Sequence, residues 1–240
     1  MSSKNTIVRI AGVTYILIIV IAVLNLIFID SRLIDYKDIT LTINNILSNE
    51  FLFRLGSAGT LILYAMVIIL SVSLYLILKS VNKNLALLAM VFRLGEALMG
   101  CTTVLISFIV LGLLNNRFNA VSIESAQLKI LVAALLNARA AGLYIVLILI
   151  GLGGTLFFYL FYKSSYIPGI LSVWGIFTYL SMLIISIISI LFPGRPVQIE
   201  LVVYGLGTLF ELTIGFWFLF KGIPFQNIDN IPIDNYHEKK

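Results

Sequence analysis

The sequence predicts an all-α, polytopic membrane protein: a single bundle of about six transmembrane helices with one or two short interfacial helices. Three observations carry that prediction. Of 240 residues, 60% are hydrophobic and 11% charged, against roughly 45–50% and about 25% in an ordinary globular domain. Mean hydropathy is +1.08. Six apolar stretches are each long enough to cross ~30 Å of hydrocarbon at ~1.5 Å per residue, and the period-2 alternation of a barrel strand is absent. A water-soluble chain of this size has no place to hide so much apolar surface, so the bilayer is part of its solvent. A soluble enzyme, a secreted disulfide scaffold and a disordered chain are excluded.

The elements follow in order. Lys4 and Arg9 precede an apolar run from about Ile10 to Phe28, within a first span at Val8–Phe28. It exceeds the ~7–15 residues of a signal-peptide core, and no A-x-A site follows, so it reads as an uncleaved first span. Asp38 can cap a short helix whose Ile39, Ile43, Ile46 and Leu47 share one face. Phe51–Leu78 is the second span and Leu85–Leu114 the third, joined by Lys79–Asn84. Ser122 can start a helix through Ala126, Ile130, Ala133, Ala134 and Asn137 into the fourth span, Ala140–Tyr162. Lys163–Tyr166 leads to the fifth span, Ile167–Phe192, and Pro193–Glu200 to the sixth, Leu201–Phe220. Each span must be a helix, because lipid cannot satisfy free backbone groups. Short links make sequential helices antiparallel neighbours, and the two extra helical pieces are expected on the rim at one membrane face. Residues 1–222 form the membrane domain, and 223–240 a polar, turn-rich tail whose composition predicts mobility.

Lys/Arg asymmetry sets the expected orientation. With both ends cytoplasmic, the inner side carries Lys4, Arg9, Lys79, Lys83, Lys163, Lys221, Lys239 and Lys240, eight in all. The outer side carries Arg32, Lys37, Arg54, Arg117, Lys129 and Arg195, six in all. The expected place is the bacterial cytoplasmic membrane, with the bilayer as first partner. The net charge of +5 does not point to nucleic acid, because the basic residues sit at helix ends and not on one face.

Charges inside spans are the most informative feature, since each costs ~2.5–3.5 kcal/mol at a helix centre. Arg93 and Glu96 lie three apart in the third span, on one helix face. Glu211 lies in the sixth, and counting residues from the helix ends puts all three near one depth. They can form a buried triad that meets the polar end of a ligand or accepts a proton. They can equally be an ion-pair set that fixes helix register. Arg54, with Glu50 four residues before it, and Arg139 form a second polar layer near the outer face. These read either as interfacial anchors or as a basic mouth suited to an acidic amphiphile.

Small residues mark close helix contacts in four patches: Gly56, Ser57, Gly59 and Thr60; Gly95, Gly100 and Cys101; Gly151, Gly153 and Gly154; and Gly205 with Gly207. Tyr64, Tyr144, Tyr179 and Tyr204 can line a polar seam. One cysteine, Cys101, cannot form an internal disulfide, and one histidine, His237, cannot nucleate a His/Cys metal cluster. No metal or cofactor is implied.

Several stretches also resemble a known family. They are Ser48-Asn-Glu-Phe-Leu-Phe-Arg-Leu-Gly56, Asn82-Lys-Asn-Leu-Ala-Leu-Leu-Ala89 leading to Phe92-Arg93, and Tyr162-Lys163 through Ile167-Pro-Gly-Ile-Leu171. Phe192-Pro-Gly194 and Glu211 followed by Phe216-Trp-Phe-Leu-Phe-Lys-Gly222 complete the set. Their order and spacing resemble the bacterial integral-membrane family labelled domain of unknown function 4386, from Arg9 to Gly222. The resemblance implies a multi-helix membrane protein with Arg54, Arg93 and Glu211 at recurring polar positions. Asn137 and Ala140 depart from the family pattern before the fourth span. The family implies no reaction.

The leading functional expectation is binding, or binding and moving, a lipophilic or amphiphilic small molecule within the bundle. Arg93, Glu96, Glu211, Arg54 and Arg139 are its candidate ligand-binding residues. Two alternatives stay open. One is an accessory protein packing against another membrane protein, with the charged set purely structural. The other is an intramembrane enzyme using Glu96 or Glu211 for acid–base work, although no nucleophile or metal set accompanies them.

Overall fold

Six long helices follow one another in a computed structural model that describes residues 3–35, 37–115, 125–192 and 198–223. Among the described residues all regular structure is helical. The first span is Ser3–Asn25, prolonged by a π-helical turn, Leu26–Asp30, and one α-helical turn, Ser31–Leu33. The interfacial helix is Ile39–Ser48. The second to sixth spans are Glu50–Leu78, Lys83–Leu114, Ser125–Ser164, Gly169–Leu191 and Gln198–Phe220. All six are long and apolar enough to cross a membrane, and the chain is a multi-pass membrane protein.

Local chemistry explains the boundaries. Asp38, extended at φ −129°, accepts hydrogen bonds from Thr40 N at 2.8 Å and Leu41 N at 3.1 Å, as an N-cap should. Asn82 does the same for Leu85 N at 3.0 Å, opening the third span. Between the fourth and fifth spans, Ser165 adopts a left-handed φ of 54° and Pro168 an extended backbone, so the chain reverses within four residues. The fourth span is longer than its apolar stretch: one helix of 40 residues incorporates the segment leading into it. The proposed start at Ser122 and the polar tail from 224 onward lie outside the described residues.

Each span packs on the next in sequence, and the sixth returns to the first, which closes a ring. Two glycines allow that closure. A Cβ on Gly12 would come within 2.8 Å of Gly215 O and 2.7 Å of Leu219 N, so the first and sixth spans touch backbone to backbone there. Of the four small-residue patches, three sit under neighbouring side chains: Ile29 over Gly56, Tyr64 over Gly100, and Tyr179 over Gly154. In the fourth, Gly207 seats Met182, but Gly205 has nothing within 4 Å.

The interior divides by depth. Towards the end where the 79–82 and 165–168 links lie (the Lys79 end), buried Phe157, Phe158, Phe161, Phe210 and Phe218 form an aromatic core with Tyr179. At the opposite (Asp38) end, Ile43 and Ile46 of the interfacial helix cover a smaller cluster of Ile29, Leu33, Phe53, Val110, Leu111 and Val132. The expected rim position of that helix is therefore met.

Candidate functional site

Two polar regions lie inside this frame. At ~1.5 Å per residue, Arg93, Tyr179 and Glu211 are each about 15 Å from the Lys79 end of their helices, and Tyr15 about 18 Å. The ring brings these residues together at its centre. Arg93 Nη1 lies 2.7 Å from Glu96 Oε2, with side chains only 5% and 2% exposed. The two atoms are in ionic contact without a well-directed hydrogen bond, since neither has a partner of good geometry. Gly153 makes room for the stem of Arg93: a Cβ there would meet Arg93 Cγ at 2.8 Å.

Glu211 is placed differently from the expected triad. Arg93 pairs with Glu96, while Glu211 Oε1 accepts a hydrogen bond from the Tyr179 hydroxyl at 2.8 Å. Tyr15 OH lies 3.5 Å from Tyr179 OH, at the outer limit of a hydrogen bond. The centre is thus an ion pair on one helix beside a Tyr15–Tyr179–Glu211 chain across the first, fifth and sixth spans. Glu96 is 1% exposed whereas Glu211 is half-buried. Tyr179 was among the candidate seam tyrosines. Tyr15 was not, although counting depth along the first span places it at the same level.

The second region lies at the Asp38 end. A cleft of about 220 Å³ is lined by Asp30, Asp35, Lys37, Thr42, Asn137 and Arg139, together with the apolar Ile34, Ile39, Ala133, Leu136, Ala140 and Leu143. Arg139 Nη2 donates to Asp30 Oδ1 at 3.1 Å across the first and fourth spans. The π-helical turn ends at Asp30, so this irregularity delivers the carboxylate to the pair. Asp35 Oδ1 accepts from the backbone N–H groups of Lys37 and Asp38, and Thr42 Oγ1 both donates to Asp35 O and accepts from Asp35 N. These bonds tie Asp35 to Lys37, Asp38 and Thr42, and Asp35, Lys37 and Thr42 all line the cleft. A much smaller hollow beside Asn25, Gly56 and Thr60 also has Arg139 on its wall. Neither is lined by Glu211 or Arg54.

Arg54 is held by Glu50, as the i,i+4 spacing anticipated, with Nε donating to Oε1 at 2.7 Å. The other carboxylate oxygen of Glu50 accepts from Asn115 Nδ2 at 3.0 Å, tying the second span to the end of the third. The two outer arginines therefore do not converge on one mouth: Arg139 lines the cleft and Arg54 anchors a helix start. Asp30, Lys37 and Thr42 are cleft residues that spacing along the chain does not reveal, because the π turn and the hydrogen bonds made by Asp35 bring them there. Among the described residues no group of three or more His, Cys, Asp or Glu side chains could hold a metal ion.

No curated protein and no solved structure matched the chain. Residues 10–222 match the family described as Domain of unknown function (DUF4386), a stretch that takes in both polar regions and all of the ring but the first turns of the first span. The chain belongs to that family.

Proposed function

We propose that the protein binds the polar head of an amphiphile in the cleft at the Asp38 end, the apolar part lying along the neighbouring spans. The cleft carries this reading, because polar and charged side chains line it together with apolar ones. Its volume, about 220 Å³, falls below the ~300–1,000 Å³ of a pocket that encloses a drug-sized ligand. It suits a head group, and a chain would lie outside it against surfaces such as Leu143, which is 45% exposed. Arg139 spends one N–H on Asp30, and a guanidinium has five, so donors remain for a ligand. Lys37, which also lines the cleft, carries a second positive charge. In this reading Arg54 anchors the second span, and Arg93 with Glu96 holds the register of the ring.

The membrane is proposed to be the bacterial cytoplasmic one with both termini inside, supported by the eight-to-six distribution of Lys and Arg. Reporter fusions after Lys240 should give the cytoplasmic pattern, and a periplasmic pattern would reverse the orientation. For binding, mass spectrometry of gently purified protein should detect a co-purifying amphiphile that is lost from Arg139→Ala and kept by Arg54→Ala. Wild-type protein free of any such molecule, and unresponsive to added lipid in thermal unfolding, would overturn the reading.

A further inference from the structure

The sixth span carries a carboxylate that the ring does not neutralise. Arg93 and Glu96 form a contact ion pair and cancel one another. Glu211 is in none of the three ion pairs among the described residues. The groups facing it are Tyr179 from the fifth span, Tyr15 beyond that hydroxyl from the first, and the Arg93–Glu96 pair from the third, whose guanidinium is near enough to be felt but not within 4 Å. The three charged groups of the centre therefore sum to one uncompensated negative charge, about 14 Å along the helix from Phe220. An intramembrane carboxylate without an ion-pair partner is costly, and residues of this kind mark ion or proton sites.

Access distinguishes Glu211 from its neighbour Glu96. Glu96 is sealed at 1% exposure, but Glu211 is half-buried on the least buried of the six spans. Tyr179 is set rigidly, because its ring covers Gly154, where any side chain would collide with it. Its hydroxyl engages Oε1 only, which leaves Oε2 to meet an incoming group.

We infer that Glu211 is a cation-accepting site in which one hydrogen-bonding positive charge, a proton or an ammonium group, docks on Oε2 while Tyr179 fixes Oε1. As a proton, the charge is drawn from the aqueous phase and forms an O–H bond on Oε2. As an ammonium, it binds by a charge-assisted hydrogen bond with no covalent change. The inference stands apart from the cleft, which Glu211 does not line.

Infrared spectroscopy and thermal unfolding of the purified full-length protein near pH 7 separate the two sources. For a proton, wild type shows a neutral-carboxyl stretching band that Glu211→Gln removes and Tyr179→Phe shifts without removing. For an ammonium, that band is missing and octylammonium chloride raises the wild-type melting temperature, an effect lost in Glu211→Gln and weakened in Tyr179→Phe. Tyr179→Phe preserves the ring that packs on Gly154, so it reports on the site even where Glu211→Gln folds poorly. Absence of both a Glu211-dependent band and Glu211-dependent stabilisation by octylammonium would overturn the inference.

Discussion

The centre of the ring and the cleft at its Asp38 end each contain an arginine–carboxylate pair, and the two pairs differ in almost every other respect. Arg93 and Glu96 share one helix, three residues apart, with 5% and 2% of their side chains exposed. Arg139 and Asp30 come from two spans and are 24% and 34% exposed. A pair sealed in a low-dielectric interior cannot be opened without stranding a charge. A pair at the rim is screened, and its net contribution is small. The same chemistry is thus fixed in one place and exchangeable in the other, which is why the rim pair is the better place for a ligand.

The sharpest way to break the comparison is to remove one partner of the sealed pair. Glu96→Gln leaves Arg93 charged and without its carboxylate, and should cost about 3–5 kcal/mol in equilibrium unfolding. Combining it with Arg93→Met removes the stranded charge and should recover much of that loss. Equal instability of the single and double variants would show that the pair does not set the stability of the centre.

A steric change in the same region should have the next largest effect. Gly154 has no room for a Cβ, because the Tyr179 ring occupies that space. Gly154→Ala should displace the ring and destabilise the bundle by about 1–3 kcal/mol. It should also disturb the Tyr179–Glu211 hydrogen bond, so octylammonium or proton binding at Glu211 should weaken in parallel. Gly205→Ala, at a position with nothing within 4 Å, should be close to neutral by the same unfolding measurement.

How much of each region the sequence revealed follows from its physics. Spans are legible because lipid forces every crossing segment into a helix, and a helix has a fixed rise, so residue counts gave the shared depth of Arg93, Glu96 and Glu211. Counting does not give azimuth, so Arg93 could be assigned to either carboxylate, and the structure gives it Glu96. Tyr15 escaped notice because a tyrosine in an apolar run is equally at home in a core or at an interface. The cleft was less legible still. It depends on a π turn at Leu26–Asp30, on the hydrogen bonds from Lys37 and Asp38 to Asp35, and on a fourth span that starts well before its apolar stretch. None of these leaves a periodic trace. The cap at Asp38, by contrast, is local chemistry and was readable from one residue and its neighbours.

At the rim the comparison predicts a small stability effect beside a large binding effect. Arg139→Ala should lower stability by no more than ~1 kcal/mol, since its pair is partly solvated. Lipid retained through purification should nevertheless fall substantially, because the variant loses the donors that face the cleft. Lys37→Ala should lower retention too, with almost no change in melting temperature. If Arg139→Ala proves as destabilising as Glu96→Gln while retaining its lipid, the rim pair is a structural clamp and the distinction between the two regions fails.

The smallest expected effect is at Arg54, and it tests whether position or charge matters at this end. Arg54 carries the same guanidinium as Arg139, but its side chain is 36% exposed, it is tied to Glu50 one turn away, and it lines neither hollow. An exposed i,i+4 pair contributes about 0.3–0.5 kcal/mol, so Arg54→Gln should shift unfolding only slightly. Glu50 would keep its second anchor through Asn115, which limits the loss further. Lipid retention should match the wild type. A binding loss in Arg54→Gln equal to that in Arg139→Ala would mean that a diffuse basic surface, and not the geometry of the cleft, attracts the amphiphile. Repeating both measurements at high salt would then decide the matter: a diffuse field weakens for both variants and the wild type alike, while a head group seated in the cleft beside Arg139 keeps most of its affinity.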